Sequence, residues 1–328
     1  MDEQQYGLVH ALVLDGQGGA RQLAHAELAG LQLQAQESLW LHWDRGHPGA
    51  QQWLRQCSGL SAFACNLLLE ESTRPRLLPL SEEQLLLFLR GVNLNPGAEP
   101  EDMVSVRVFV EPQRLLSLRL RPLRVTEKIL AQLAAGQGPC HVSDLLLALA
   151  RGLTEHVDEL LLDLGEAVDD EEERVDASEQ YRPNHDRMQQ LRRRAAALRR
   201  FLAPQRELYQ VLLRNHRPWF APQASDYWNE LHNQLTRHLE ELELMRERIS
   251  LILESEHRRM SERMGRTMYL LGIITGFFLP LSFLTGLLGI NVGGIPGAET
   301  EYAFYAVCSL FVLLALGQWW LFRRLRWL

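Results

Sequence analysis

Between Met1 and Thr267 the sequence lacks any uncharged apolar stretch that approaches the roughly eighteen residues a bilayer crossing needs. It also lacks a Cys-x-x-Cys pair: Cys57, Cys65, Cys140 and Cys308 lie far apart, which suits a reducing compartment better than a disulfide framework. The start, Met1-Asp2-Glu3-Gln4-Gln5-Tyr6, is neither basic nor followed by an apolar leader, so the large N-terminal part is expected in the cytoplasm. No phosphate loop, nucleophile elbow or paired metal-ligand motif is found, and neither an enzyme nor a resident cofactor is expected. The first 267 residues hold 39 Asp and Glu against 31 Lys and Arg, an acidic balance that argues against nucleic acid as a partner.

A chain of 328 residues exceeds the usual size of one compact domain. Tyr6 to Asp15 and Ser38 to Asp44 alternate apolar and polar residues, and Met103 to Val110 and Leu115 to Leu120 flank a Glu111-Pro112 turn. These segments predict strands of a mixed sheet. Gln51 to Glu71 and Ser81 to Leu89 read as partly helical, with Ser81 as an N-cap. The alternation predicts an α+β domain.

From Thr126 the pattern turns helical, with Ser143-Asp144 as a cap. Asp158 to Glu179 holds eleven acids and one base, Arg174, whereas Arg182 to Arg217 holds ten arginines against Asp186 and Glu207. Two antiparallel helices of opposite charge are expected to pair as a hairpin; the alternative is two solvated faces. Pro218 and Pro222 end the second helix and Ser225-Asp226 caps the next. No proline then appears before Pro280 and no glycine before Gly265, so one stalk helix can run on into the apolar region. Leu231, Leu235, Leu242, Met245, Ile249 and Ile252 give it a heptad-like seam that requires partners.

Thr267 to Ile290 and Ala303 to Phe322 contain 24 and 20 residues without formal charge, each enough to span hydrocarbon. Arg258, Arg259, Arg263 and Arg266 precede the first span and Arg323, Arg324 and Arg326 follow the second, while the loop between has no base. This asymmetry predicts cytoplasmic N- and C-termini and an outward loop. The chain thus divides into a cytoplasmic α+β domain (1–125), charged helices (126–224), a stalk helix (225–267), a first span (268–290), an outer loop (291–302), a second span (303–322) and a basic tail (323–328).

Met268, Gly272, Thr275, Leu279, Ser282, Gly286 and Gly289 recur at alternating spacings of four and three, placing small and hydroxyl-bearing residues on one helix face. Ile273, Phe277, Phe278 and Leu284 lie opposite. Such a face serves either as the wall of a path shared by several subunits or for close packing of two helices. Between Met268 and Gly289 this face offers no carboxylate, histidine or thiol.

The stretch Phe278-Leu279-Pro280-Leu281-Ser282-Phe283-Leu284-Thr285-Gly286-Leu287-Leu288-Gly289-Ile290-Asn291 resembles the signature of the CorA-type divalent metal transporter superfamily. That family ends its first span in Gly-Met-Asn, and Ile290 departs from it. Gly-Ile-Asn followed by Val292-Gly293-Gly294-Ile295-Pro296-Gly297 is similar to the ZntB zinc-transporter branch. The order of parts along the whole chain agrees with this resemblance. It implies a CorA-like homopentameric funnel in the bacterial inner membrane, with first-span helices around the pore and second-span helices outside. It implies zinc uptake coupled to protons, with Asn291 forming the pore mouth beside Gly289 and Ile290. A ring of neutral amide oxygens can hold a cation's hydration shell without trapping the ion. Capping of the helix end is the other role open to Asn291.

Glu299 and Glu301 in the outer loop would concentrate cations there. Neither span holds an ionisable proton relay, so coupling would depend on groups near the ends such as His257, Glu262, Glu299 or Glu301. Candidate cytoplasmic metal ligands are His42, Asp44 and His47 near a strand end and His232, His238 and His257 on the stalk, with surface histidines as the plainer reading. Asp158, Glu159 and Asp163 could hold cations loosely. The partners expected are divalent cations (zinc, and also cadmium, nickel or cobalt), membrane lipid and further copies of the chain. The competing functions are a magnesium/cobalt channel of the Gly-Met-Asn type and a membrane-anchored sensor or scaffold.

Overall fold

The computed structural model describes residues 6–71, 73–178, 180–215, 217–290, 297 and 300–325. The chain divides into two compact units, Met1–Leu253 and Glu254–Leu328. The first is built on seven strands: β1 (Leu8–Leu14), β2 (Ala20–Gln22), β3 (Ser38–Asp44), β4 (Arg76–Pro79), β5 (Leu85–Gly91), β6 (Val104–Glu111) and β7 (Arg114–Arg119). Their order is β2-β1-β3-β7-β6-β5-β4, and only the β3–β7 pair is parallel.

Side chains alternate across the sheet and feed two cores. Leu41, Trp43, Phe88 and Leu118 face α1 (Pro48–Gln56) and α2 (Ala62–Leu69). Trp40, Leu87, Val108 and Leu115 belong to the larger core. That core also takes in α3 (Arg124–Ala134), α4 (Val142–Thr154), α5 (Val157–Ala177), α6 (His185–Arg214) and the first part of α7 (Ala224–Leu288). Helices therefore cover both faces of the sheet in an α+β domain. The segment 126–224 is no separate body, because it packs on the sheet within the same unit.

One expectation fails here. Ser81 to Leu89 is not helical: Ser81 closes a tight turn, its Oγ accepting from the amides of Glu83 (3.3 Å) and Gln84 (3.1 Å), and Leu85 opens strand β5. Leu85, Leu87 and Leu89 enter one core and Leu86 and Phe88 the other, so an unbroken apolar run is what a central strand requires. Beyond Arg76, where Pro75 interrupts the ladder, the backbone of β5 finds a different partner. The buried carboxamide of Gln205 on α6 accepts from the Arg90 amide at 2.8 Å and donates to its carbonyl at 3.0 Å. Gly91 ends the strand where any Cβ would stand 2.5 Å from Leu153 of α4, so the close approach of helix and sheet depends on it.

The expected pairing of the acidic and arginine-rich helices is seen: α5 and α6 pack together, with Leu161, Leu164 and Val168 sharing the core with Met188, Leu191, Ala195 and Leu198, and ion pairs join them at the edge of that contact. Of Arg192, Arg193 and Arg194 only Arg194 is partly buried, bonded to Glu101 and, at 3.2 Å, to Asp163. Arg187 reaches the buried Glu171 at 3.0 Å. Acids of α5 also pair with α7, where Arg248 bonds Asp169 at 2.6 Å and Glu172. The seam Leu231, Leu235, Leu242, Met245, Ile249 and Ile252 is buried in this same core, so the chain itself supplies its partners. Helix α7 starts at Ala224, which puts Ser225 and Asp226 in its first turn instead of at the cap.

Leu164→Ala should cost about 2–5 kcal/mol and raise amide exchange across α5 and α6 of the full-length protein. Arg194→Glu should do so through the buried Glu101, while Arg192→Glu with Arg193→Glu should leave exchange near wild type. The opposite ranking would restore charge as the basis of the hairpin.

Candidate functional site

The second unit contains the distal part of α7 and helix α8 (Ala303–Arg324). Both helices are long and apolar enough to cross a membrane. Most of the apolar part of α7 is exposed, Leu270, Leu271, Ile274 and Phe283 included. Ile273, Gly276, Phe277, Leu281 and Leu284 are partly covered. Phe322, the buried residue of α8, seats its ring at Gly276, where a Cβ would lie 3.1 Å from the ring tip.

Along the small-residue face Met268, Gly272, Thr275, Leu279, Ser282 and Gly286 are all exposed, and a Cβ at Gly272 or Gly286 would meet nothing within 4 Å. Phe278 is exposed as well, at 60%. Among the described residues the uncharged small face thus has no close neighbour at Gly272 or Gly286. The hydroxyl of Thr285 donates to Leu281 and Ser282 carbonyls, both at 3.0 Å, so it is satisfied by its own helix. Gly289 caps the helix end with its amide on the Thr285 carbonyl at 2.9 Å, and a Cβ there would crowd that oxygen at 3.0 Å. Ile290 is half exposed. Asn291 and Glu299 lie outside the described residues, and Glu301 is exposed beside a turn in which Thr300 donates to Gly297.

Within one chain the candidate cytoplasmic ligands of the sheet-bearing unit are each engaged separately. His42 is fully buried in β3, with Nδ1 2.7 Å from the Ser117 hydroxyl and its ring stacked 6.0 Å from that of His10. Burial, then the charge of Arg119 and then His10 hold its pKa well below 6.5, so it stays neutral. Asp44 accepts from the Gly46 amide at 2.8 Å, and His47 caps α1 by accepting from Gly49 at 3.1 Å. His232 contacts the Arg206 carbonyl at 3.2 Å. His238 is buried and joins Asp158 of α5 at 2.5 Å, and His257 is exposed in the other unit. Among the described residues no cluster of three or more His, Cys, Asp or Glu could hold a metal ion. Sequence reading missed the Gly276–Phe322 contact, although a glycine off the small face was the available signal.

The family described as CorA-like Mg2+ transporter protein matches residues 35–324. The divalent cation transporter CmaX of Pseudomonas aeruginosa is 59% identical over 322 residues, covering 98% of this chain and 97% of that protein. The zinc transport protein ZntB of Pectobacterium carotovorum subsp. carotovorum is 33% identical over 325 residues, covering 99% and 97%. The solved structure of the full-length CmaX protein is similar with a TM-score of 0.85 at 58% identity, and 98% of each chain is covered.

Because the unfolded chain protonates histidine near pH 6.5 and folded His42 only well below it, protonation opposes folding. Stability should therefore decline as pH falls through about 6.5, by up to about 1.4 kcal/mol per pH unit from this residue. Denaturation of wild type and His42→Leu across that range should show a shallower slope in the variant; equal slopes would refute the assignment. Gly276→Val should separate the two spans and lower the melting temperature, whereas Gly272→Ala should leave it unchanged.

Proposed function

The chain belongs to the family of CorA-like Mg2+ transporters, whose members carry ions and catalyse no reaction, and on that premise we propose that it moves divalent cations, zinc foremost, into bacterial cells across the inner membrane. The observation that carries this reading is the run of small, uncharged residues along one side of α7, exposed in the single chain with open space at Gly272 and Gly286. Two helices cannot enclose water, so the open faces of several copies, five on the family pattern, would together wall the path. Second-span helices would stand outside them, with both termini cytoplasmic.

Met268, Gly272, Thr275, Leu279, Ser282 and Gly286 would line that path, and Gly289, Ile290 and Asn291 would form its outer mouth. The lining offers hydroxyls and helix backbone but no anionic or nitrogen ligand, so it supports passage of a cation that keeps at least part of its water. Glu299 and Glu301 would raise the local cation concentration. What supports zinc over magnesium is the resemblance of Ile290 and the glycine-rich run after Asn291 to the ZntB branch, together with the 33% identity to a zinc transport protein. Magnesium or cobalt conduction is the second reading, favoured by the description of the family itself.

Reconstituted into proteoliposomes, the protein should take up zinc, with excess magnesium competing weakly; strong competition would favour the magnesium reading. Asn291→Ala should abolish selective uptake with the oligomer intact, and unaltered flux would remove Asn291 from the mouth. Imposed pH gradients of opposite sign should change zinc uptake in opposite directions if protons are coupled, while indifference means a passive path.

A further inference from the structure

The inner end of α8 carries two cation–aromatic stacks that neither helix packing nor the ion path uses. Arg323 lies over the ring of Trp319 at 5.4 Å and Arg324 over that of Trp320 at 5.3 Å. Each pair is four residues apart, so one helical turn sets each guanidinium over its own indole. The rings are 48% and 56% exposed. Phe322 turns to Gly276, and at about 100° per residue the two stacks occupy the flank of α8 and the side away from Phe322.

Their depth matters as much as their chemistry. Arg323 and Arg324 follow within two residues of Phe322, which packs at Gly276, whereas the nearest arginine of α7, Arg266, is ten residues before Gly276. The α8 pair therefore stands on the order of 10 Å closer to the apolar band than Arg266 does, at a level where α7 bears no charge. A guanidinium there loses part of its hydration. The indole faces shield one side of it and leave its edge N–H donors for an anion.

We propose that Trp319, Trp320, Arg323 and Arg324 form a binding site for the headgroup of an anionic phospholipid. The guanidinium N–H groups donate to phosphate oxygens, and the acyl chains lie along the exposed Val312, Leu313 and Leu316 of α8. A zwitterionic headgroup brings its own cation toward the arginines and is disfavoured. The arginines before the first span, Arg258, Arg259, Arg263 and Arg266, add a basic flank of their own, so the indole stacks and the depth of Arg323 and Arg324, and not charge alone, set this site apart. The inference rests on reading α7 and α8 as membrane spans and is independent of which ion is carried.

The test uses the full-length protein in nanodiscs of mixed phosphatidylglycerol and phosphatidylcholine, with retained lipid counted by native mass spectrometry after extraction. Wild type should retain phosphatidylglycerol preferentially. Arg323→Gln with Arg324→Gln should reduce that preference about fivefold per arginine, roughly thirtyfold together, and Arg323→Lys with Arg324→Lys should keep most of it. Trp319→Leu with Trp320→Leu should weaken it severalfold at unchanged charge. No preference in wild type, a preference untouched by the glutamine or leucine pairs, or an equal loss in the stalk control Arg258→Gln would overturn the site. Size-exclusion profiles confirm assembly of each variant, and because no flux is measured, failure here leaves the transport reading standing.

Discussion

A helix that enters hydrocarbon must satisfy every backbone amide within itself, and this constraint governs α7 from Ala224 to Leu288. Its 65 residues belong to one unbroken element that begins in the sheet-bearing unit and ends in the apolar one. The two ends are specified by different chemistry. Over the first part an aliphatic seam is buried by α5 and α6, so water drives the packing. In lipid that driving force vanishes, and contact between α7 and α8 depends on shape, with a ring seated where a side chain is missing.

Much of this was legible from residues alone. The two spans, the stalk and four of the strands follow from runs of charge, proline and alternating hydrophobicity, because each leaves a local pattern. Strand β5 did not, since a strand buried on both faces has no alternation and Ser81 makes the same hydroxyl-to-amide bonds in a turn as at a helix start. The arginine-rich helix was read as an electrostatic partner because charge is conspicuous in sequence. In the fold the leucines beneath them make most of the contact, and only the arginines that reach buried carboxylates, Arg187 on Glu171 and Arg194 on Glu101, add to it. Gln205 carried no signal at all, because its role is created by a ladder that ends a hundred residues earlier.

The histidines illustrate the same limit at the candidate sites. Proximity in sequence placed His42, Asp44 and His47 together, yet the pleat sends His42 into the core while a helix cap and a tight turn engage the other two. The small-residue face of α7, by contrast, was legible because helical spacing is a local property, and it is found open along the positions expected. What sequence could not give was its orientation relative to α8. That depends on one ring and one glycine far apart in the chain.

That pairing has a geometric consequence. Phe322 fits α7 at Gly276, where a β-carbon would stand 3.1 Å from the ring tip and press on it, so the contact acts as an index pin for rotation about the long axis. A turn of α7 by one residue, about 100°, would withdraw the pin and carry the bulky Phe277 or Phe278 round toward the side now presented by Gly272 and Ser282. The angular setting of this helix is thus fixed by a vacancy on its own surface.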